Sequence, residues 1–139
     1  MFRQILVPTD FSKKHINPLE IAMNLATKYK SIIYLLHVVE IIADTTFAEY
    51  EDFYSKLEQR AQKQMSALIA SYRGKAVEII PRIAYGNRAE EILKFIKANK
   101  IDLIIMNSHK VERDNPIQSW GTISYKVALL SDCPIMLAK

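Results

Sequence analysis

The residues best suited to chemistry lie in two polar turns, each directly after an apolar run. Residues 5–7 (Ile-Leu-Val) precede Pro8, Thr9 and Asp10, and the apolar run 101–106 precedes residues 107–110 (Asn-Ser-His-Lys). Parallel strands of an α/β sheet end at one edge, so polar turns after two such strands indicate an anion pocket there. The Asp10 carboxylate is suited to accept hydrogen bonds from a base amino group or a ribose hydroxyl, and also to cap a helix.

A Gly-Thr pair is the candidate phosphate site. Gly121 and Thr122 stand at the start of the last predicted helix, followed by Ile123. The unpaired N–H groups and the positive end of the helix dipole favour an anion, and the Thr122 hydroxyl adds a donor. The same dipeptide also makes an ordinary helix cap, so both interpretations stay open at this stage.

The elements that must position these turns follow from hydrophobic periodicity. Strands are predicted at 2–7, 32–39, 76–83, 101–106 and 135–138. The first helix is predicted to begin after an Asn17 cap with Pro18 in its first turn, or earlier at Ser12. Further helices are predicted from Tyr50 to Gly74, after an Asn87 cap with Glu90 three residues on, and from Thr122 to Leu130.

The alternation of strands and helices predicts the fold class. We expect a single α/β domain over residues 1–139, with three layers: a five-stranded parallel sheet and helices on both faces. Pro81 cannot donate to a strand ladder, so the third strand belongs at an edge. That favours the strand order 3-2-1-4-5 and places the topological switch point between strands 1 and 4, where both polar turns end.

Composition narrows the function classes. The 139 residues carry a net charge of +4, but basic and acidic side chains are interleaved, which argues against a nucleic-acid surface. Apolar runs are far shorter than the about 20 residues of a membrane helix. The single cysteine, Cys133, excludes an internal disulfide, and no signal-peptide pattern is present, so we expect a cytoplasmic location.

Several motifs together resemble the universal stress protein family, which has a strand-Pro-x-Asp-x-Ser start and a late Gly-x-x-Gly-x9-Gly-Ser/Thr phosphate loop. Pro8, Asp10 and Ser12 match the start, and residues 37–39, Gly86, 102–106 and 133–137 match elsewhere. The resemblance implies a stress-response regulatory module that is not an enzyme, and a homodimer through the C-terminal strand. It also implies a pocket for ATP or another adenine nucleotide, with Mg²⁺ only beside a triphosphate. The implied binding residues are Pro8, Thr9, Asp10, Val38, Met106, Asn107, His109, Lys110, Gly121, Thr122 and Ile123.

The phosphate loop departs from the family pattern. Asn107 and Lys110 stand where the two loop glycines belong, and the interval from Lys110 to Gly121 is one residue longer than in the family. Acidic Glu112 and Asp114 follow, and would repel a triphosphate if they faced inward. The alternative function is therefore a family member that has lost nucleotide binding and acts as a dimeric protein-interaction module.

The remaining candidate chemistries have weaker support. The sequence holds none of the common hydrolase, Walker or zinc-protease motifs, and slow ATP hydrolysis or autophosphorylation is a minor alternative. No metal site is predicted, because no His, Cys or acidic residues share a metal-ligand spacing. His37, inside a strand, is interpreted as a histidine that is hydrogen-bonded within the protein.

Overall fold

The computed structural model describes residues 1–12, 16–42, 44–46, 48–108 and 122–139. The strands are β1 (Gln4–Pro8), β2 (Ile32–Glu40), β3 (Glu78–Gly86), β4 (Leu103–Asn107) and β5 (Ile135–Ala138). The helices in these ranges are α1 (Ile16–Tyr29), α2 (Glu51–Ala70), α3 (Arg88–Ala98) and α4 (Ile123–Leu130), with a 3₁₀ turn at Ala48–Tyr50 before α2. The predicted order of elements is confirmed.

The five strands form one parallel sheet in the predicted order β3-β2-β1-β4-β5. β3 lies at an edge and pairs with β2 along its whole length, from Ile32 opposite Glu78 to Glu40 opposite Gly86. Pro81 stands opposite Leu35 in this pairing. An edge strand has one unpaired side, so the missing N–H of Pro81 is accommodated there.

Two apolar layers cover the two faces of the sheet, which confirms the three-layer architecture. In β1, Ile5 and Val7 pack on one face while Leu6 packs on the other, as the two-residue period of a strand requires. The first face is covered by α1 and α2, through Leu19, Ala22, Met23, Ala26 and Met65. The second is covered by α3 and α4, through Ala89, Ile92, Ile96 and Val127.

The predicted Asn17 cap of the first helix is wrong. α1 is helical from Ile16, so Asn17 lies inside the helix, and the alternative start at Ser12 stays a prediction because residues 13–15 lie outside the described residues. Asn17 lies in the first turn, where its amide nitrogen donates to the Lys139 carbonyl at 3.2 Å. Pro18 is tolerated in this turn because the first helical N–H groups have no intrahelical acceptor.

The predicted cap of α3 is confirmed. Asn87 has extended backbone angles, and its Oδ1 accepts a hydrogen bond from the Glu90 N–H at 3.1 Å. Gly86 precedes it with φ of +143°, and a Cβ there would come within 2.8 Å of the Glu91 carboxylate. The turn from β3 into α3 therefore requires glycine.

Strand and helix boundaries differ from the predictions by a few residues. β3 runs to Gly86 rather than to residue 83, because its pairing with β2 continues to Glu40. β1 begins at Gln4 rather than at Phe2, whose φ is +56°. In the ranges that the structure describes, no helix combines the length and apolar character needed to cross a bilayer.

Candidate functional site

The central strands β1 and β4 part at their C-terminal ends. Their register pairs only Ile5 with Leu103 and Leu6 with Ile104. Beyond this point, the Thr9 N–H donates to the Leu36 carbonyl of β2 at 2.8 Å, which carries the chain toward β2. The Ser108 N–H donates instead to the Ala138 carbonyl of β5 at 2.9 Å. The two strands thus follow different neighbours, and a crevice opens between them at the switch point.

The opposite end of the same strand pair is held together by Asp102. Its Oδ2 accepts a hydrogen bond from the Arg3 N–H at 2.9 Å, and its Oδ1 accepts one from the Gln4 N–H at 3.0 Å. The Asp102 N–H in turn donates to the Gln4 carbonyl at 3.0 Å. The separation of β1 and β4 is therefore confined to the C-terminal edge.

The crevice encloses about 540 Å³ of empty space, a figure that includes space open to solvent. Its apolar walls come from Pro8, Leu36, Val38, Ile92, Met106 and Ile123. Its polar lining comes from Thr9, Asp10, Arg88, Asn107 and Ser124. Apolar walls with a few polar groups suit a flat ring that carries hydrogen-bonding substituents.

Local hydrogen bonds shape the turn that follows β1. The Thr9 hydroxyl accepts from the Phe11 N–H at 3.0 Å, and Asp10 Oδ1 accepts from the Ser12 N–H at 2.8 Å. Phe11 has φ of +64°, which these side-chain contacts stabilise. The turn places the exposed Asp10 carboxylate at the rim of the crevice.

His37, on β2, contacts the turn that follows β1. Its Nδ1 lies 2.8 Å from the Thr9 carbonyl, which can only accept, so Nδ1 carries the proton. Its ring also lies 4.7 Å, centroid to centroid, from that of Phe11. Burial lowers the pKa of His37 below its ordinary value, as does Arg88, against opposing effects of the Thr9 hydrogen bond and Asp10. The hydrogen-bonded interpretation of His37 is confirmed.

The structure brings most of the sequence-predicted binding residues to one place. Those that line the crevice are Pro8, Thr9, Asp10, Val38, Met106, Asn107 and Ile123. Thr122 caps α4, since its hydroxyl accepts from the Tyr125 N–H at 3.4 Å, and it is not part of the lining. The Thr122 hydroxyl lies 3.3 Å from the hydroxyl of Ser124, and Ser124 does line the crevice. His109, Lys110 and Gly121, together with Glu112 and Asp114, lie outside the described residues.

Four lining residues were missed by the sequence reasoning: Leu36, Arg88, Ile92 and Ser124. Leu36 and Ile92 have the signature of core residues, and nothing in the sequence separates them from the rest of the core. Arg88 had a usable signal, because it opens the helix that follows an edge strand and so starts at the C-terminal edge of the sheet. Ser124 lies in the first turn of α4, one residue beyond Ile123.

Metal chemistry has no visible site in the described part of the chain. Across residues 1–12, 16–42, 44–46, 48–108 and 122–139, no group of three or more His, Cys, Asp or Glu residues could hold a metal ion. Asp10 is the acidic residue of the crevice lining described above. The other polar residues of that lining are Thr9, Arg88, Asn107 and Ser124, and the rest are apolar.

Known proteins match this chain over its whole length. The model of the universal stress protein family matches residues 1–139. Universal stress protein YxiE of Bacillus subtilis strain 168 is 27% identical over 149 aligned positions, covering 100% of both chains. The structure of MJ0577, a universal stress protein of Methanocaldococcus jannaschii, superposes with a TM-score of 0.81 at 25% identity, covering 100% of this chain and 96% of that one. A universal stress protein from Archaeoglobus fulgidus, solved in complex with dAMP, superposes with a TM-score of 0.70 at 17% identity, covering 100% of each chain.

Proposed function

Because the chain belongs to the universal stress protein family, we propose that it is a cytoplasmic regulatory module that binds an adenine nucleotide between β1 and β4. The observation that carries this proposal is the parting of those two strands, which opens a crevice with apolar walls and a few polar groups at the switch point. The described lining combines apolar walls with one carboxylate, an arrangement suited to holding a ligand, so binding is the activity proposed.

The base would occupy the apolar part of the crevice. Leu36, Val38 and Ile92 belong both to its wall and to the buried core, so a purine ring placed there would lie against the core. Asp10 at the rim would accept a hydrogen bond from the base amino group or from a ribose hydroxyl. The backbone of Val38 is the second proposed contact with the base, carried over from the family resemblance.

The phosphates would lie toward the start of α4. Ser124 belongs to both the crevice lining and the first turn of α4, so the positive end of that helix borders the crevice. Gly121, Lys110 and His109 complete the proposed phosphate contacts from the sequence, with Mg²⁺ entering only beside a triphosphate. The A. fulgidus relative in complex with dAMP supports the compatibility of this fold with an adenine nucleotide.

The first test is to identify any nucleotide that the protein carries. One sample of the purified protein would be denatured, and the released small molecules would be identified by mass spectrometry. A second, folded sample, freed of bound nucleotide, would be titrated with ATP, ADP and AMP by calorimetry. Asp10→Ala should weaken all three ligands by a similar factor, about tenfold, because this carboxylate serves the base or ribose end. Asp132→Ala is the matched control, since that exposed carboxylate pairs with Lys97 at 3.6 Å, outside the crevice lining.

Two results would contradict the proposal. One is the absence of any released nucleotide together with no heat from millimolar ATP, ADP or AMP. The other is an Asp10→Ala variant that binds all three as tightly as the unmutated protein, which would place the ligand elsewhere. Equal losses in Asp10→Ala and Asp132→Ala would also exclude a specific role for Asp10.

A second function, a dimeric protein-interaction module without nucleotide, is favoured by the open edge at β5. Within the described residues β5 pairs only with β4. Its Met136 and Leu137 are 37% and 36% exposed, and Leu129 and Leu130 at the end of α4 are each 65% exposed. An apolar strand at an open edge is a template for antiparallel pairing with a second copy, and such a pair has two-fold symmetry.

Met136→Lys tests this assembly. A charge at that edge would meet its own copy across the two-fold axis, so light scattering should show the mass halving while the far-ultraviolet circular dichroism is retained. Phe53→Lys is the control, because Phe53 is an exposed apolar residue on α2, remote from β5 in the sheet order. A monomeric mass for the unmutated protein at tens of micromolar would contradict the dimer. A dimer that carries no nucleotide would favour this second function over the first.

A further inference from the structure

Arg88 places a positive charge at one end of the crevice. It is the first residue of α3, and its Nε lies 3.7 Å from Oε1 of Glu40, the last residue of β2. The Ile41 N–H also donates to the Gly86 carbonyl at 3.3 Å, which ties the end of β2 to the turn before α3. Arg88 therefore stands on the β2 side of the crevice, whereas Ser124 and the start of α4 stand on the β4 side.

Asp10 faces the same region as Arg88. Both residues line the crevice, and both are close enough to His37 to act on its pKa, Arg88 lowering it and Asp10 raising it. The lining thus presents a donor-only guanidinium and an acceptor-only carboxylate around a shared apolar wall. The proposed phosphate site at α4 lies on the other side, so this pair of charges belongs to the base end.

A donor and an acceptor placed together discriminate between purines by their edges. Guanine and hypoxanthine present two adjacent acceptors, O6 and N7, together with the N1–H donor. Adenine keeps N7 but has an amino donor at position 6, which an arginine cannot accept. A guanidinium matches the O6/N7 pair in bidentate fashion, and a carboxylate accepts from N1–H or from the guanine amino group.

We propose that Arg88 reads the O6/N7 edge of a 6-oxopurine, so that the crevice admits guanine and hypoxanthine nucleotides as well as adenine nucleotides. The inference rests on the proposed nucleotide site. The ion pair with Glu40 is made at Nε, the inner nitrogen, at 3.7 Å, whereas a base edge would be met by the two terminal nitrogens. Arg88 is only about one-third exposed, so its guanidinium is partly shielded from competing water.

Calorimetric titration with AMP, GMP, IMP and 7-deaza-GMP tests this assignment. In the unmutated protein, GMP and IMP should bind within about threefold of AMP, and 7-deaza-GMP, which lacks N7, should bind roughly tenfold more weakly than GMP. Arg88→Ala should weaken GMP and IMP roughly tenfold or more while AMP changes by less than about threefold. Arg88→Lys should behave like Arg88→Ala, because an ammonium keeps the charge but not the planar fork.

Lys97→Ala is the control variant. Lys97 lies on the same helix and pairs with Asp132 at 3.6 Å, away from the crevice lining, so all four affinities should be unchanged. Thermal melting of each variant separates misfolding from lost specificity, and the ratio of GMP to AMP affinity is insensitive to a uniform loss of folded protein.

The outcomes separate this inference from the proposed function. AMP binding without GMP or IMP binding overturns the role of Arg88 and leaves the adenine site standing. GMP binding that Arg88→Ala does not weaken overturns it as well. GMP and IMP binding without AMP supports Arg88 and overturns the adenine proposal, and no binding of any nucleotide overturns both.

Discussion

The two ends of the β1–β4 pair use the same residue type for opposite purposes. At the N-terminal end, Asp102 accepts hydrogen bonds from two consecutive backbone N–H groups and joins the strands. At the C-terminal end, Asp10 is exposed at the rim of a crevice, where the strands have followed different neighbours. One junction thus combines a closed end, which fixes the sheet, with an open end, which forms part of the crevice wall.

Removing the two carboxylates should have unequal effects on stability. Asp102→Ala leaves the Arg3 and Gln4 N–H groups without their charged acceptor, and we expect the free energy of unfolding to fall by about 2 kcal/mol. Asp10→Ala removes the exposed turn contact to the Ser12 N–H, and we expect it to cost about 0.5 kcal/mol. Urea unfolding followed by circular dichroism measures both.

The order of the two effects decides which end of the junction stabilises the sheet. A larger loss for Asp10→Ala would mean that the open end, rather than the closed end, stabilises the sheet. Asp132→Ala serves here too as the reference for removing an exposed surface carboxylate, and we expect it to cost as little as Asp10→Ala.

A smaller effect on stability is expected from the titration of His37, whose Nδ1 donates to the Thr9 carbonyl at the open end of the β1–β4 pair. Burial, aided by Arg88, holds the pKa of His37 below the 6.5 of an unfolded chain. Below pH 6.5 the unfolded state therefore binds more protons than the folded state, so this contribution to stability is complete above 6.5 and is lost as pH falls. Melting temperatures measured from pH 7.5 to pH 5.5 should decline, and His37→Gln should reduce that decline.

Glutamine is chosen because its amide can still donate to the Thr9 carbonyl while carrying no titrating charge. His15→Gln is the control for removing another imidazole, since His15 precedes α1 in the sequence and is not part of β2, and it should leave the pH dependence unchanged. If His37→Gln and the unmutated protein declined equally between these pH values, the open end would not be the source of the acid sensitivity.

Local signals predicted much of the fold. Asn87 and Glu90 indicated the α3 cap, and Pro81 indicated the edge position of β3, because both effects act within a few residues of the chain. Asn17 and Pro18 gave an equally strong local signal for a helix start that is wrong. In the structure Asn17 is bonded to the carbonyl of Lys139, and a partner so distant in sequence leaves no local trace.

The residues of the crevice that the sequence predicted are those that stand at the ends of strands. Pro8, Asp10 and Asn107 could be placed because parallel strands end at one edge. Arg88 was missed although its place at the start of α3 puts it at the same edge, because its position in the crevice also depends on how α3 crosses over β2. Whether Gly121 and Lys110 contact a phosphate remains a prediction, since both lie outside the described residues.

The short pairing of β1 with β4 also affects how the sheet resists an applied force. The sheet consists of a three-stranded leaf, β3-β2-β1, and a two-stranded leaf, β4-β5, joined by two register pairs and the contacts of Asp102. Shear between β2 and β3 is resisted by nine paired positions. Within the sheet itself, the junction between the leaves has two paired positions against the four of β4 and β5, so the packing of α1 against both β1 and β4 carries much of the resistance to separation of the leaves.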